Sequence, residues 1–103
     1  MAYEKALSVL ADPTRRAVFE RLRHGPATVG ELAKGMPVSR PAVSQHLKAL
    51  KDAGLVRDEP RGTARLYRIH APALAELRTW LDGLWDEALA NFKSFAEEDD
   101  ERG

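Results

Sequence analysis

Between Arg40 and Ala53 the apolar residues fall at Val43, Leu47 and Leu50. That i, i+4, i+7 spacing buries one stripe of an α-helix and turns Arg40, Pro41, Ser44, Gln45 and Lys48 to the opposite side. Ser39 stands at the N-cap position and Gly54 at the stop, while Pro41 falls in the first turn, where no intrahelical donor is lost. Upstream, Thr28 and Glu31 have the spacing of a capping box, which predicts a short helix from Val29 to about Lys34, closed by Gly35-Met36-Pro37. Two helices joined by a tight, glycine-containing turn make a helix-turn-helix.

The same pattern extends in both directions. Residues from Glu4 to Leu10 predict a first helix with Leu7 and Leu10 apolar, and Asp12-Pro13 opens a second to about Arg23, burying Ala17, Val18 and Leu22. His24-Gly25-Pro26 stops it. Leu55 to Asp58 and Ala64 to Ile69 alternate apolar and polar residues around Pro60-Arg61-Gly62-Thr63, which predicts a β-hairpin with a basic tip. Pro72 then opens the longest helix, to about Phe95, a rod of about 36 Å at 1.5 Å per residue. Glu97 to Gly103 is acidic, lacks apolar residues and is expected to be disordered. The expected class is mainly α with a small β-hairpin, with one domain over 1–96 and a tail over 97–103.

Bulk composition changes this picture in two ways. At 103 residues and 44% hydrophobic, the chain has room for one core, and a further apolar face seeks a partner. The net charge is zero but separated: Pro13 to His70 carries twelve Lys/Arg against five acids (+7), Ala71 to Gly103 three against nine (−6), and residues 1–12 sum to −1. A basic middle and an acidic end face different things. Absence of cysteine removes disulfides, thiolate metal sites and a cysteine nucleophile. Neither a signal peptide nor a membrane span is visible, so a cytoplasmic protein is expected. Catalysis is not expected: there is no Gly-x-Ser-x-Gly setting and no glycine-rich phosphate loop.

On the outward stripe of the helix after Ser39, Arg40 and Gln45 are the candidates for base edges, arginine through guanine acceptors and glutamine through adenine's donor and acceptor. Lys48, Ser39 and Ser44 suit phosphates; His46, at the edge of the buried face, either reaches the backbone or packs. A solvated helix face is the plain alternative. The preceding short helix and a hairpin carrying Arg57, Arg61, Arg65 and Arg68 favour duplex DNA. In the last helix Leu74, Leu77, Leu81, Leu84, Ala88 and Phe95 follow heptad-like spacing, widened by Trp80, Trp85, Leu89 and Phe92. With Leu7 and Leu10 on the first helix, this band predicts a homodimer interface whose central residues are Leu77, Trp80, Leu81, Leu84, Trp85 and Ala88.

The stretches Ala11 to Arg16, Ser39 to Leu50, Ala53-Gly54-Leu55-Val56 and Arg61 to Tyr67 together closely resemble the ArsR (ArsR/SmtB-type) family of winged-helix repressors, over about Tyr3 to Phe95. The resemblance implies a homodimeric winged helix-turn-helix in the order α-α-α-α-β-β-α, repressing from a palindromic operator. It places Ser39, Arg40, Pro41, Ser44, Gln45 and His46 in the DNA-reading helix and Arg61, Gly62 and Arg65 in the wing. Metal-sensing members often carry Cys-x-Cys where this chain has Thr28 and Gly30, or His and carboxylates on a last helix that here, from Pro72 onward, holds no histidine. The chain resembles the metal-independent branch: no metal, no cofactor, and an inducer the sequence does not identify. The alternatives are a metal-responsive repressor pairing His70 with Asp82 or Asp86 across the dimer, and a protein-protein module that has lost DNA binding.

Overall fold

Asp12 interrupts what would otherwise be one long helix. In the computed structural model, which describes residues 2–102 with side chains from Tyr3 to Glu98, α1 (Ala2–Ala11) ends there and α2 (Pro13–Arg21) begins. The Asp12 carboxylate accepts from the Arg15 amide at 2.9 Å and proline occupies the first turn, as capping chemistry requires. The last turn tightens into a 3-10 segment, Leu22–His24, and Gly25 leaves it at φ 133°, a conformation glycine adopts without a Cβ clash. The buried face of α2 differs from the one expected. Val18, Phe19 and Leu22 are buried while Ala17 is exposed, because the face that docks is centred one residue later than the smallest apolar side chain suggested.

Thr28 caps α3 (Val29–Lys34), and Glu31 returns the bond to the Thr28 amide, completing the capping box. Ser39 caps α4 (Arg40–Asp52), its hydroxyl accepting from the Ala42 amide at 3.3 Å. Val43, Leu47 and Leu50 are wholly buried, and α4 packs against α1, α2 and α3. At about 1.5–3 kcal/mol for each fully buried aliphatic side chain, this stripe fixes the rotation of α4 and so decides which residues face outward.

β1 (Val56–Arg61) and β2 (Ala64–Ile69) pair antiparallel with Arg61 opposite Ala64, so the connection is only Gly62-Thr63. Gly62 has φ 62° and no non-glycine residue has positive φ, which fits a type II′ hairpin turn. The first strand therefore runs further than expected, through Pro60 and Arg61. Proline is tolerated because the pair flanking a two-residue turn exchanges hydrogen bonds and the next, Pro60 with Arg65, does not. By the same alternation Tyr67 is free on its outer edge, where it exchanges bonds of 2.9 and 3.0 Å with Ala27.

Pro72 sits in the first turn of α5 (Ala71–Arg102), whose 32 residues span about 48 Å. The helix continues to Arg102 instead of stopping near Phe95, because no glycine or proline occurs between Leu84 and Arg102 to end it. Of the tail, Gly103 and the side chains beyond Glu98 lie outside the described residues. Contacts divide the chain into two compact units, one ending at Ala73 and the other beginning at Leu74.

Candidate nucleic-acid interface

The burial of Val43, Leu47 and Leu50 leaves Ser39, Arg40, Pro41, Ser44, Gln45 and Lys48 exposed along one side of α4. From Arg40 to Lys48 that side runs about 12 Å, the rise of three to four base pairs. It presents a guanidinium, an amide, two hydroxyls and an ammonium, with no acidic side chain among them. His46 is half-buried at the margin, its Nδ1 enclosed and without a hydrogen-bond partner among the described residues.

The hairpin contributes fewer free cations than its arginine count suggested. Arg68 pairs with Glu59 across the strands, and Arg65 donates through Nε to Asp58 at 2.5 Å. Asp58 also takes Lys51 Nζ, from the last turn of α4, at 2.8 Å. Its side chain is only 5% exposed while those of Lys51 and Arg65 are 53% and 51% exposed, so one enclosed carboxylate ties the end of α4 to β2 through two half-exposed cations. The Lys51 and Arg65 hydrogen bonds hold its pKa below the usual 3.8, and the Asp58 hydrogen bond in turn raises that of Arg65. Arg57 and Arg61 are exposed and have no ion pair among the described residues, and Gly62 forms the tip.

Sequence reasoning missed Asp58. The available signal was its place in the alternation: Asp58 and Arg65 fall on the same face, one diagonal apart, once the turn is two residues long. A second missed residue is Gly30. A Cβ there would stand 3.0 Å from Nη2 of Arg40, so the guanidinium of the first residue of α4 lies against the backbone of α3. Gly35 makes similar room for Arg21 at the far end of α3, where a Cβ would stand 3.3 Å from its Nε. Thr28, Val29, Gly30, Arg40, Ala64, Arg65 and Tyr67 line a cleft of about 370 Å³. Asp12, which caps α2, has its pKa lowered chiefly by the Arg15 amide.

Of the residues expected at a dimer interface, Leu7, Leu81, Leu84, Trp85 and Ala88 are exposed, whereas Leu10, Leu77 and Trp80 are half-buried. Within α5 the exposed band continues through Leu89, Phe92 and Phe95, with Trp85 63% and Phe92 70% exposed. Leu81, Leu84, Trp85 and Ala88 with Asp82 line one shallow groove on it. Bands this wide are uncommon on a surface that has no partner. Among the described residues no three His, Cys, Asp or Glu side chains gather where they could hold a metal, and no helix is long and apolar enough to cross a membrane.

A helix-turn-helix domain family matches residues 10–59. The chain is 58% identical over 89 residues to the HTH-type transcriptional regulator Rv2034 of Mycobacterium tuberculosis, covering 86% of this chain and 83% of that protein. In structure it is similar to the ArsR family transcriptional regulator RHA00566, with a TM-score of 0.73 at 37% identity over 84% of this chain and 98% of that one. It is also similar to the homodimeric winged helix-turn-helix DNA-binding domain Mb0332 of Mycobacterium bovis, a possible ArsR-family regulator, with a TM-score of 0.68 at 28% identity over 85% of this chain and 82% of that one.

Proposed function

The chain belongs to the ArsR family of winged helix-turn-helix transcriptional regulators, and from that premise we propose that it acts in the cytoplasm as a homodimeric repressor on a palindromic DNA operator. The observation that carries the reading is the outward stripe of α4, set by the complete burial of Val43, Leu47 and Leu50 on the other side. Arg40 and Gln45 address base edges in a major groove wide enough for one helix; Ser39, Ser44 and Lys48 address phosphates. Pro41 holds the first turn close to the groove, and His46 supports the helix from its half-buried margin. Arg61 and Gly62 meet the adjoining backbone, and Arg65, held by Asp58, braces the wing.

Two copies joined through α1 and α5 present their reading helices to successive major grooves, about 34–36 Å apart. The exposed Leu81, Leu84, Trp85 and Ala88 of α5 and the exposed Leu7 of α1 support that arrangement, and the half-buried Leu10, Leu77 and Trp80 are the other residues assigned to it. A dimer seated on an operator excludes polymerase from the overlapping promoter. Repression in this reading needs no bound metal: where sensing relatives place thiolates this chain has Thr28 and Gly30, and α5 offers carboxylates without histidine.

The test is to crosslink the protein to DNA in its own cells and sequence what co-purifies. An enriched palindrome with half-sites one helical turn apart is the expected result. DNA indistinguishable from the bulk genome would overturn the proposal.

A further inference from the structure

Arg40 does not extend freely into solvent. Its guanidinium lies on the first turn of α3, where a Cβ at residue 30 would stand 3.0 Å from Nη2, 3.4 Å from Cζ and 3.8 Å from Nε. All three distances are to the planar end of the side chain, so the guanidinium covers the place a side chain at residue 30 would fill. Among the described residues Arg40 has no ion pair and no side-chain hydrogen bond, so shape alone seats it and its donors stay available. Arg65, which lines the same cleft, is already committed to Asp58. The backbone gives no other reason for glycine here, since residue 30 is not among the positive-φ glycines.

We propose that Gly30 is a positioning residue that seats the Arg40 guanidinium and thereby sets the base preference at the start of α4. This rests on the reading of α4 as the DNA-facing helix. A planar fork recognises guanine only when both donors meet O6 and N7 together, so a shift of a few tenths of an ångström at its seat costs selectivity before it costs attraction to phosphate. A side chain already packed in place also loses less freedom on binding than a solvated one. The Cβ of an alanine at position 30 meets only the flexible end of Arg40, which gives way by a few tenths of an ångström.

The experiment compares wild type, Gly30→Ala, Arg40→Ala and the double variant, each selecting from a pool of duplexes randomised across the half-site of the enriched palindrome. Expected is a loss of roughly 5- to 100-fold in preference at one symmetric position in Arg40→Ala, the same position affected in Gly30→Ala, and no further loss in the double variant. Thermal melting of Gly30→Ala is expected to be unchanged or higher, since alanine is the better helix former, so a merely structural role is separated from a positioning one. Wild-type preference in Gly30→Ala alongside loss in Arg40→Ala overturns the proposal, as does a lower melting temperature with additive losses. If Arg40→Ala itself keeps every wild-type preference, it is the reading of the helix start that falls.

Discussion

Replacing Asp58 by Asn tests whether charge holds the hairpin to α4. The substitution keeps the side chain's shape but removes the charge shared by Lys51 at 2.8 Å and Arg65 at 2.5 Å. Both cations are about half exposed, so each pair is screened and contributes at most about 1 kcal/mol. An Asn oxygen still accepts one neutral-strength bond, which leaves a net loss of about 1 kcal/mol at pH 7. For a chain of this size that is a fall of about 4–8 °C in melting temperature. The pH dependence identifies the cause. In the folded protein the Asp58 carboxyl titrates below its usual 3.8, so the stability it adds is full above the unfolded value and is lost as pH falls through the lower folded one. Urea unfolding of both proteins at one fixed concentration, at pH 7 and at steps below pH 4, is the assay. The gap between them is expected to close toward acid pH and to shrink in high salt. An undiminished gap at acid pH would show that packing, and not charge, is what Asn disturbs, and no gap at pH 7 would refute the clasp.

Ser39→Ala removes the acceptor for the Ala42 amide and is expected to cost about 1 kcal/mol in chemical denaturation; Ser39→Asp keeps the cap but is expected to weaken DNA binding at low salt by placing a negative charge on the interface. Lys48→Ala is expected to weaken binding to all sequences alike and to lower the slope of log affinity against log salt by about 1 for each helix bound, measured by anisotropy titration across a salt series. Leu84→Glu, on the exposed band of α5, is expected to give monomers in sedimentation velocity while far-UV circular dichroism stays helical; a dimer of unchanged mass would place the interface elsewhere.

The parts of this fold governed by neighbours in sequence were legible, and those governed by neighbours in space were not. Thr28, Ser39 and the Val43-Leu47-Leu50 stripe act within one helix, so spacing alone predicts the caps and the outward face. The second strand falls where it was expected, but the first ends three residues later, at Arg61 and not Asp58, because Pro60 reads as a turn former until its partner is known; only the pairing with Arg65 shows that its missing amide proton is not needed. In α2 the sequence offered Ala17, Val18 and Phe19 in a row, and which of them is buried depends on the angle at which α2 meets α4. The Lys51-Asp58-Arg65 group draws on residues seven apart on either side, and the seat of Arg40 on Gly30 joins the starts of two helices. Counting arginines therefore overstated the free charge of the wing and said nothing of how the first side chain of α4 is held.

In the proposed function the exposed side of α4 distinguishes one DNA sequence from another. The most direct measurement of this is the ratio of affinities for the enriched palindrome and for a scrambled duplex of equal composition, taken at physiological salt for wild type and for Gln45→Ala. Gln45 is exposed, lies in mid-helix and carries no charge, so its loss leaves attraction to phosphate unchanged. The expected result is a ratio lowered by roughly 5- to 100-fold for each half-site bound, with binding to the scrambled duplex unaltered. An unchanged ratio in Gln45→Ala would contradict the assignment of this face.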